Sequence, residues 1–188
     1  DHTLLLSDVY LKCKTGQVVG LIGRNGSGKS TLFNQLLDKE MAVTSDFYQT
    51  TIDANNGRLV YQNHPILLID TPGLLRDFDM RTDLDQILQK KTIEILKKAD
   101  AVLLVTEVTK SLCLTDQFLA HLLNKLKRRV VIAANKWDIF PRKDEEMIEQ
   151  INIHYRAYLP KISTAPVVFT SAKTGEGTKE ILKQSLNQ

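Results

Sequence analysis

Nine consecutive residues, GRNGSGKST at Gly23–Thr31, have the types and spacing needed to hold a row of phosphates. They match GxxxxGK[ST], with Gly23, Gly28, Lys29 and Ser30 at the fixed places. Glycines there let successive backbone N–H groups converge on one anion, and a helix beginning at Lys29 adds a partial positive charge. Asn25, Gly26, Ser27, Gly28, Lys29, Ser30 and Thr31 would line the phosphates. Lys29 would act catalytically by reaching the β- and γ-phosphates, while the Ser30 hydroxyl would ligate Mg²⁺. The pattern implies a nucleoside triphosphate and is silent on the base.

Two later segments address the base. AANKWD at Ala133–Asp138 closes an apolar run, which puts Asn135, Lys136 and Asp138 at the carboxyl edge of a sheet, where open α/β sheets bind ligands. A carboxylate at Asp138 can accept from both N1–H and the N2 amino group of guanine. Adenine offers no such pair, and seating it would leave a buried charge unmatched at a cost of about 1–3 kcal/mol. Asn135 would tie this loop to the phosphate loop, and the Lys136 stem would lie along the ring. Alone, the same string also reads as an exposed loop with Asp138 capping a helix. FTSAKTGEG at Phe169–Gly177 follows the next apolar run. There the Ala172 N–H can donate to guanine O6, with Ser171 shaping the loop and Lys173 beside it. Two base loops after two successive strands favour GTP and GDP as ligands.

LLIDTPGL at Leu67–Leu74 is an apolar run ending in a carboxylate. Asp70 would hold Mg²⁺ through water, and the Gly73 N–H would meet the γ-phosphate. The polar stretch Met41–Asp53 carries Thr50 and Thr51, of which Thr51 is the better choice to complete the metal shell when a γ-phosphate is present. Loops held by such contacts are released on hydrolysis, which is how a nucleotide switch works. Leu74 occupies the place where a water-orienting side chain would serve, so intrinsic turnover should be slow. Arg76 and Arg81 are either charge donors or solvated loop residues.

The elements that position these residues alternate. Apolar runs at Gln17–Ile22, Arg58–Gln62, Ile66–Ile69, Ala101–Val105, Val130–Ala134 and Val167–Thr170 read as strands. Lys29–Leu37, Leu84–Lys98, Thr115–Leu126, Glu145–Tyr158 and Thr178–Ser185 read as helices, the second with a stripe through Ile87, Leu88, Lys91, Glu94 and Ile95. Such βα alternation implies an α/β domain with a largely parallel sheet. Ser7–Lys14 reads as an extra N-terminal strand, so residues 1–188 form one domain with 1–16 as an extension.

With 43% apolar and 25% charged residues, the 188-residue chain has a globular composition, and a net charge of +3 does not by itself imply nucleic acid. Cys13 and Cys113 share no motif and read as small buried hydrophobes. No run is long enough to span a membrane and no signal peptide is visible, so a cytoplasmic location is the default. The chain opens on Asp1 and reads as a segment of something longer. The basic run Lys125–Arg129 fits either RNA contact or cations complementing a helix C-terminus.

Taken together, GRNGSGKSTLFNQLL, QTTID, LLIDTPGL, AANKWD and APVVFTSAKTGEG resemble the TrmE–Era–Der group of GTPases, the last two stretches most closely the second G domain of Der-type ribosome-assembly GTPases. The resemblance runs from about Gly20 to the C-terminus. It implies a P-loop NTPase three-layer sandwich on a six-stranded sheet with one antiparallel edge pair, GTP hydrolysis with Mg²⁺, and a protein or ribosomal partner. With Leu74 unable to orient water, turnover should be raised by a partner, by a monovalent cation such as K⁺, or by a nucleotide-dependent homodimer. Asn25-Gly26 stands where the group carries Pro-Asn, which displaces the K⁺-supporting Asn by one place. Ile52 stands where the group has an arginine. Leu11–Leu36 also resembles the start of an ABC-type ATPase domain, but no LSGGQ-like stretch follows. An ATPase and a nucleotide-binding scaffold that never hydrolyses are the two rival readings.

Overall fold

The computed structural model describes residues 16–40, 56–72 and 83–186. Thr51 and Gly73, along with Thr50, Ile52, Leu74, Arg76, Arg81, Cys13 and the strand expected over Ser7–Lys14, lie outside the described residues.

Six strands form one sheet: β1 (Gln17–Gly23), β2 (Asn56–Tyr61), β3 (His64–Asp70), β4 (Ala101–Glu107), β5 (Arg129–Asn135) and β6 (Val167–Phe169). Their order is β2-β3-β1-β4-β5-β6, with only the β2–β3 pair antiparallel. Five helices connect them: α1 (Lys29–Glu40), α2 (Asp83–Lys98), α3 (Leu114–Lys125), α4 (Glu145–Tyr158) and α5 (Thr178–Leu186). The six strands and five helices expected within the described residues are present.

Alternation along each strand builds two cores. Val18, Ile22, Val102, Leu104 and Ile132 face the layer containing Ile95 and Leu96 of α2, Leu119 and Leu123 of α3, and Tyr155 of α4. Val19, Leu21, Leu103, Val131 and Ala133 face Leu32, Phe33 and Leu36 of α1 and Ile181 and Leu182 of α5. With both faces covered, the central strands are apolar at nearly every position, which is what parallel strands require.

The stripe on α2 differs from the expected one. Thr92, Ile95, Leu96 and Ala99 are buried, whereas Ile87 is 61% exposed and Lys91 and Glu94 face solvent. A period of 3.6 fixes the spacing of a stripe but not its phase; here the sheet selected the C-terminal half of the helix.

Strand order reverses at β1, whose neighbours are β3 and β4. Ligands of open α/β sheets sit at such switch points, beyond the carboxyl ends of the strands. Gly23, Asp70, Asn135 and the loop after Phe169 all lie at that end. Among the described residues no helix is long and apolar enough to cross a membrane.

Candidate functional site

The loop from β1 into α1 turns through two glycines with positive φ, Gly26 at 81° and Gly28 at 86°. At Gly28 a Cβ would lie 2.3 Å from Nδ2 of Asn135, so the residue is fixed by both backbone and space. Ser27 is buried, and its Oγ has no hydrogen-bond partner among the described residues. Asn25 and Gly26 are exposed at the rim, as are Ser30 and Thr31 at the start of α1.

Asp70, the last residue of β3, receives two donors from this loop. Lys29 Nζ lies 2.9 Å from its Oδ1, and the Ser30 hydroxyl donates to Oδ2 at 2.6 Å. A serine hydroxyl beside a carboxylate at the start of a helix is an all-oxygen donor set of the kind Mg²⁺ takes, since that ion binds through one or two protein oxygens plus phosphates and water. These residues therefore fit a Mg²⁺ ion. Thr71 anchors the exit of β3: its hydroxyl donates to the Leu21 carbonyl at 2.6 Å and its N–H to the same oxygen at 3.2 Å.

Asn135 joins three loops. It is buried at the end of β5, its Nδ2 donates to the Ser27 carbonyl at 2.8 Å, and its Oδ1 accepts from the Ala172 N–H at 2.9 Å. The phosphate loop, the β5 loop and the β6 loop are thus locked by one amide. Between them lies a cavity of about 250 Å³, lined by Gly28, Thr31, Asn135, Asp138, Ala172 and Lys173 among others.

Asp138 sits half-buried inside the short 3-10 turn Trp137–Ile139, where it borders the cavity and caps no helix. Trp137, next to it, is buried against Phe140 and Phe169, with ring centroids 5.1 and 4.5 Å away. That packing gives Asp138 a rigid neighbour on the chain. Lys136 adopts a left-handed conformation with φ 66° and lines the cavity, but its ammonium pairs with Glu107 Oε2 at 2.9 Å. Burial tends to raise the Glu107 carboxyl; hydrogen bonds from Lys110, Lys136 and Thr109 outweigh that and hold it at about 2. Ser171 is buried and accepts from the Thr174 N–H at 3.1 Å, so it does shape the β6 loop. Lys173 is exposed at the cavity mouth.

Similar sequences identify the family. Residues 18–136 match the family described as 50S ribosome-binding GTPase. The chain belongs to that family. As a GTPase domain of the TrmE–Era–Der kind, it is 32% identical over 166 residues to GTPase Der of Synechococcus sp. (strain JA-2-3B'a(2-13)), covering 88% of this chain and 36% of that protein. It is 30% identical over 165 residues to GTPase Der of Fusobacterium nucleatum, covering 88% and 38%. The GTPase domain therefore spans little more than a third of the curated relatives it matches. Among solved structures, Era of Aquifex aeolicus bound to GDP and AlF4⁻ superposes with a TM-score of 0.70 at 22% identity, covering 90% of this chain and 55% of that one. The FeoB G domain of T. maritima superposes with a TM-score of 0.62 at 27% identity, covering 90% and 96%.

Sequence reasoning missed one interaction of the phosphate loop. Arg24 Nε lies 3.1 Å from Oδ1 of Asp116 on α3, and its Nη1 donates to Cys113 Sγ at 3.3 Å. Asp116 is fully buried; burial pushes its carboxyl up, against the Cys113 N–H and Arg24, which pull it down. Its Oδ2 accepts the Cys113 N–H at 2.8 Å, closing the first turn of α3. Cys113 is free and only half-buried, serving as that helix's N-cap rather than as the core residue expected. The one sequence clue was an acidic residue in the first turn of a helix, three places after a capping position.

Proposed function

We propose that this GTPase domain is a nucleotide-dependent switch that binds GTP with Mg²⁺, hydrolyses it slowly to GDP and phosphate, and signals its state to a ribosomal partner. The observation that carries the reading is the shared cavity. Gly28 and Thr31 of the phosphate loop line it together with Asp138 and Ala172, and Asn135 bonds all three loops into one body.

In this reading the loop N–H groups and Lys29 take the β- and γ-phosphates, Lys29 exchanging its Asp70 partner for phosphate oxygens. Ser30 and Asp70 hold the Mg²⁺, with Thr51 and Gly73 completing the shell and the γ-phosphate contact. The ion, when bound, offsets the charge that develops on the phosphate oxygens during transfer. Asp138 accepts from the two guanine donors, Ala172 N–H reaches O6, and Lys136, held by Glu107, lies along the base. Leu74 offers no polar group to orient water, so acceleration comes from outside the chain: a partner, K⁺ or a second copy. The family's description and the solved complex of Era with nucleotides 1506–1542 of 16S ribosomal RNA support a ribosomal partner, and a cytoplasmic location goes with it.

The test replaces Asp138 with Asn and follows phosphate release from GTP, xanthosine triphosphate and ATP, in Na⁺ and in K⁺. The native chain should favour GTP, and Asp138→Asn should favour xanthosine triphosphate, whose base presents the reversed hydrogen-bond face. An unchanged base preference removes Asp138 from its role. Fast release by the native monomer in Na⁺ contradicts the slow switch, and no release under any condition favours a scaffold.

A further inference from the structure

The end of the sheet opposite the nucleotide carries a second concavity. About 450 Å³ in volume, it is lined by Lys127, Arg128, Arg129 and Lys161, with Asn124 and Thr164 as neutral donors. No carboxylate lines it. Every ion pair among the described residues lies elsewhere, including those of Arg24, Lys29, Lys136 and Arg142. Four cations therefore converge with no anionic partner among the described residues, on a chain whose whole net charge is only +3.

Helix C-termini account for where the arginines point but not for the charge. Arg128 donates from Nε to the Leu126 carbonyl at 2.9 Å and from Nη1 to the Ala99 carbonyl at 3.1 Å; Arg129 donates from Nη1 to the Ser185 carbonyl at 3.4 Å. Carbonyls carry partial charges only, so both guanidiniums remain full cations. Each still has N–H groups to offer, out of five, and two carbonyl bonds hold the plane of Arg128. A planar fork with a fixed orientation matches phosphate oxygens better than a mobile ammonium does.

From this cluster we propose that the cleft is a second binding site, for the phosphodiester backbone of double-helical RNA. It does not depend on the nucleotide reading. Three features choose this occupant. The site is concave, so a flat lipid surface would not reach its floor. Its lining contains no aromatic side chain, so it lacks the stacking platform by which single strands are held. Its donors are spread over the α3–β5 turn and the segment before β6, matching a row of phosphates rather than one terminal group. The cleft sits at Arg129, where β5 begins, and the guanine-facing loop starts at Asn135, where the same strand ends. At about 3.3 Å per residue the two sites are roughly 20 Å apart, so RNA and nucleotide can be bound together.

The experiment is fluorescence anisotropy of the whole chain with a labelled RNA duplex of about 16 base pairs, the span one double-strand reader covers, at several salt concentrations. Neutralising about four phosphates predicts a log–log salt slope of about −3.6, roughly a hundredfold loss of affinity between about 50 and 200 mM salt. Lys127→Glu with Lys161→Glu should at least halve that slope and weaken binding by tenfold or more, with GDP affinity unchanged. The control carries the same charge change on α2, Lys90→Glu with Lys91→Glu, and should bind RNA like the native chain. Equal losses in both variants would show diffuse attraction to net charge and overturn the site. So would absence of RNA binding, or equal competition by polyglutamate, which would make the occupant an acidic protein. Loss of GDP affinity in the cleft variant would show damage to the fold, and Lys127→Gln with Lys161→Gln must then reproduce the RNA defect alone or the proposal falls.

Discussion

If Asn135 is the clamp of the site, then Gly28 and Asn135 must be energetically coupled. A methyl group at residue 28 would sit 2.3 Å from the Asn135 amide nitrogen and expel it. The expelled amide gives up its bond to the Ser27 carbonyl, 2.8 Å, and strains the one from the Ala172 N–H, 2.9 Å. Each buried group left unmatched costs about 1–3 kcal/mol, so the pair is worth roughly 2–6 kcal/mol. Gly28→Ala also carries the strain of a positive φ, about 1–2 kcal/mol. Asn135→Ala loses the same two bonds with no strain. In the double variant there is no amide to expel, so only the strain is added to the loss already incurred. The two substitutions should therefore fall short of additivity by about 2 kcal/mol or more, near the upper end for residues in contact. Urea unfolding reads this, with nucleotide and Mg²⁺ stripped beforehand because bound ligand would stabilise each variant by a different amount. Additivity to within about 0.5 kcal/mol would refute the clamp.

Two further perturbations test the supports of the site. Arg24→Ala strands the buried Asp116 carboxylate, a loss of about 3–5 kcal/mol at neutral pH. Burial already raises that carboxyl, and removing Arg24 raises it further. A raised carboxyl destabilises the fold above its folded pKa and not below its unfolded one, so the gap to the native chain should narrow as pH falls from neutral toward the ordinary carboxyl value of 3.8. A gap independent of pH in thermal unfolding would contradict this. Glu107→Gln should weaken guanine nucleotide binding by freeing Lys136. The native carboxyl is depressed from 4.5 to about 2, so it stabilises the fold above 4.5, and that advantage over Gln fades as pH drops toward 2. Urea midpoints of the two proteins that stay equally far apart across this range would rule out the Glu107–Lys136 pair as its cause.

The order of strands and helices was legible because the central strands are buried on both faces and the helices have to cover them, so apolar runs and amphipathic runs could not be confused. That the loops after β1, β5 and β6 converge on one cavity was legible for a different reason. Their chemistry depends on backbone shape, and backbone shape is written locally in glycines and in the residues that end strands. What could not be read was the partner of each charged side chain. Arg24 and Asp116 are 92 positions apart, and nothing in either neighbourhood marks one as the other's counterion; the pair exists because β1 and β4 are adjacent and α3 starts beside the phosphate loop. Lys136 was expected to cover the base with its stem, which fits its place on the cavity wall, yet the glutamate that holds its ammonium lies on a different strand. Cys113 reads in the sequence as a small buried hydrophobe, and its place is decided instead by the capping geometry of α3.

These distant partners change how the site has to work. The phosphate loop is braced on one side by Asn135 through Ser27, and on the other by Asp116 through Arg24. Neither brace touches Lys29 or Ser30. Both of those side chains are held instead by one residue, Asp70. In the function proposed above, arriving phosphates would meet a loop whose backbone is already set, and the reorganisation would fall on Asp70, which would give up the ammonium and keep the hydroxyl to share a cation with Ser30. In that reading Asp70 is the contact that differs between states, while the braces through Asn135 and Asp116 keep the remainder of the phosphate loop still. A switch needs both: a rigid cradle, and one contact that differs between states.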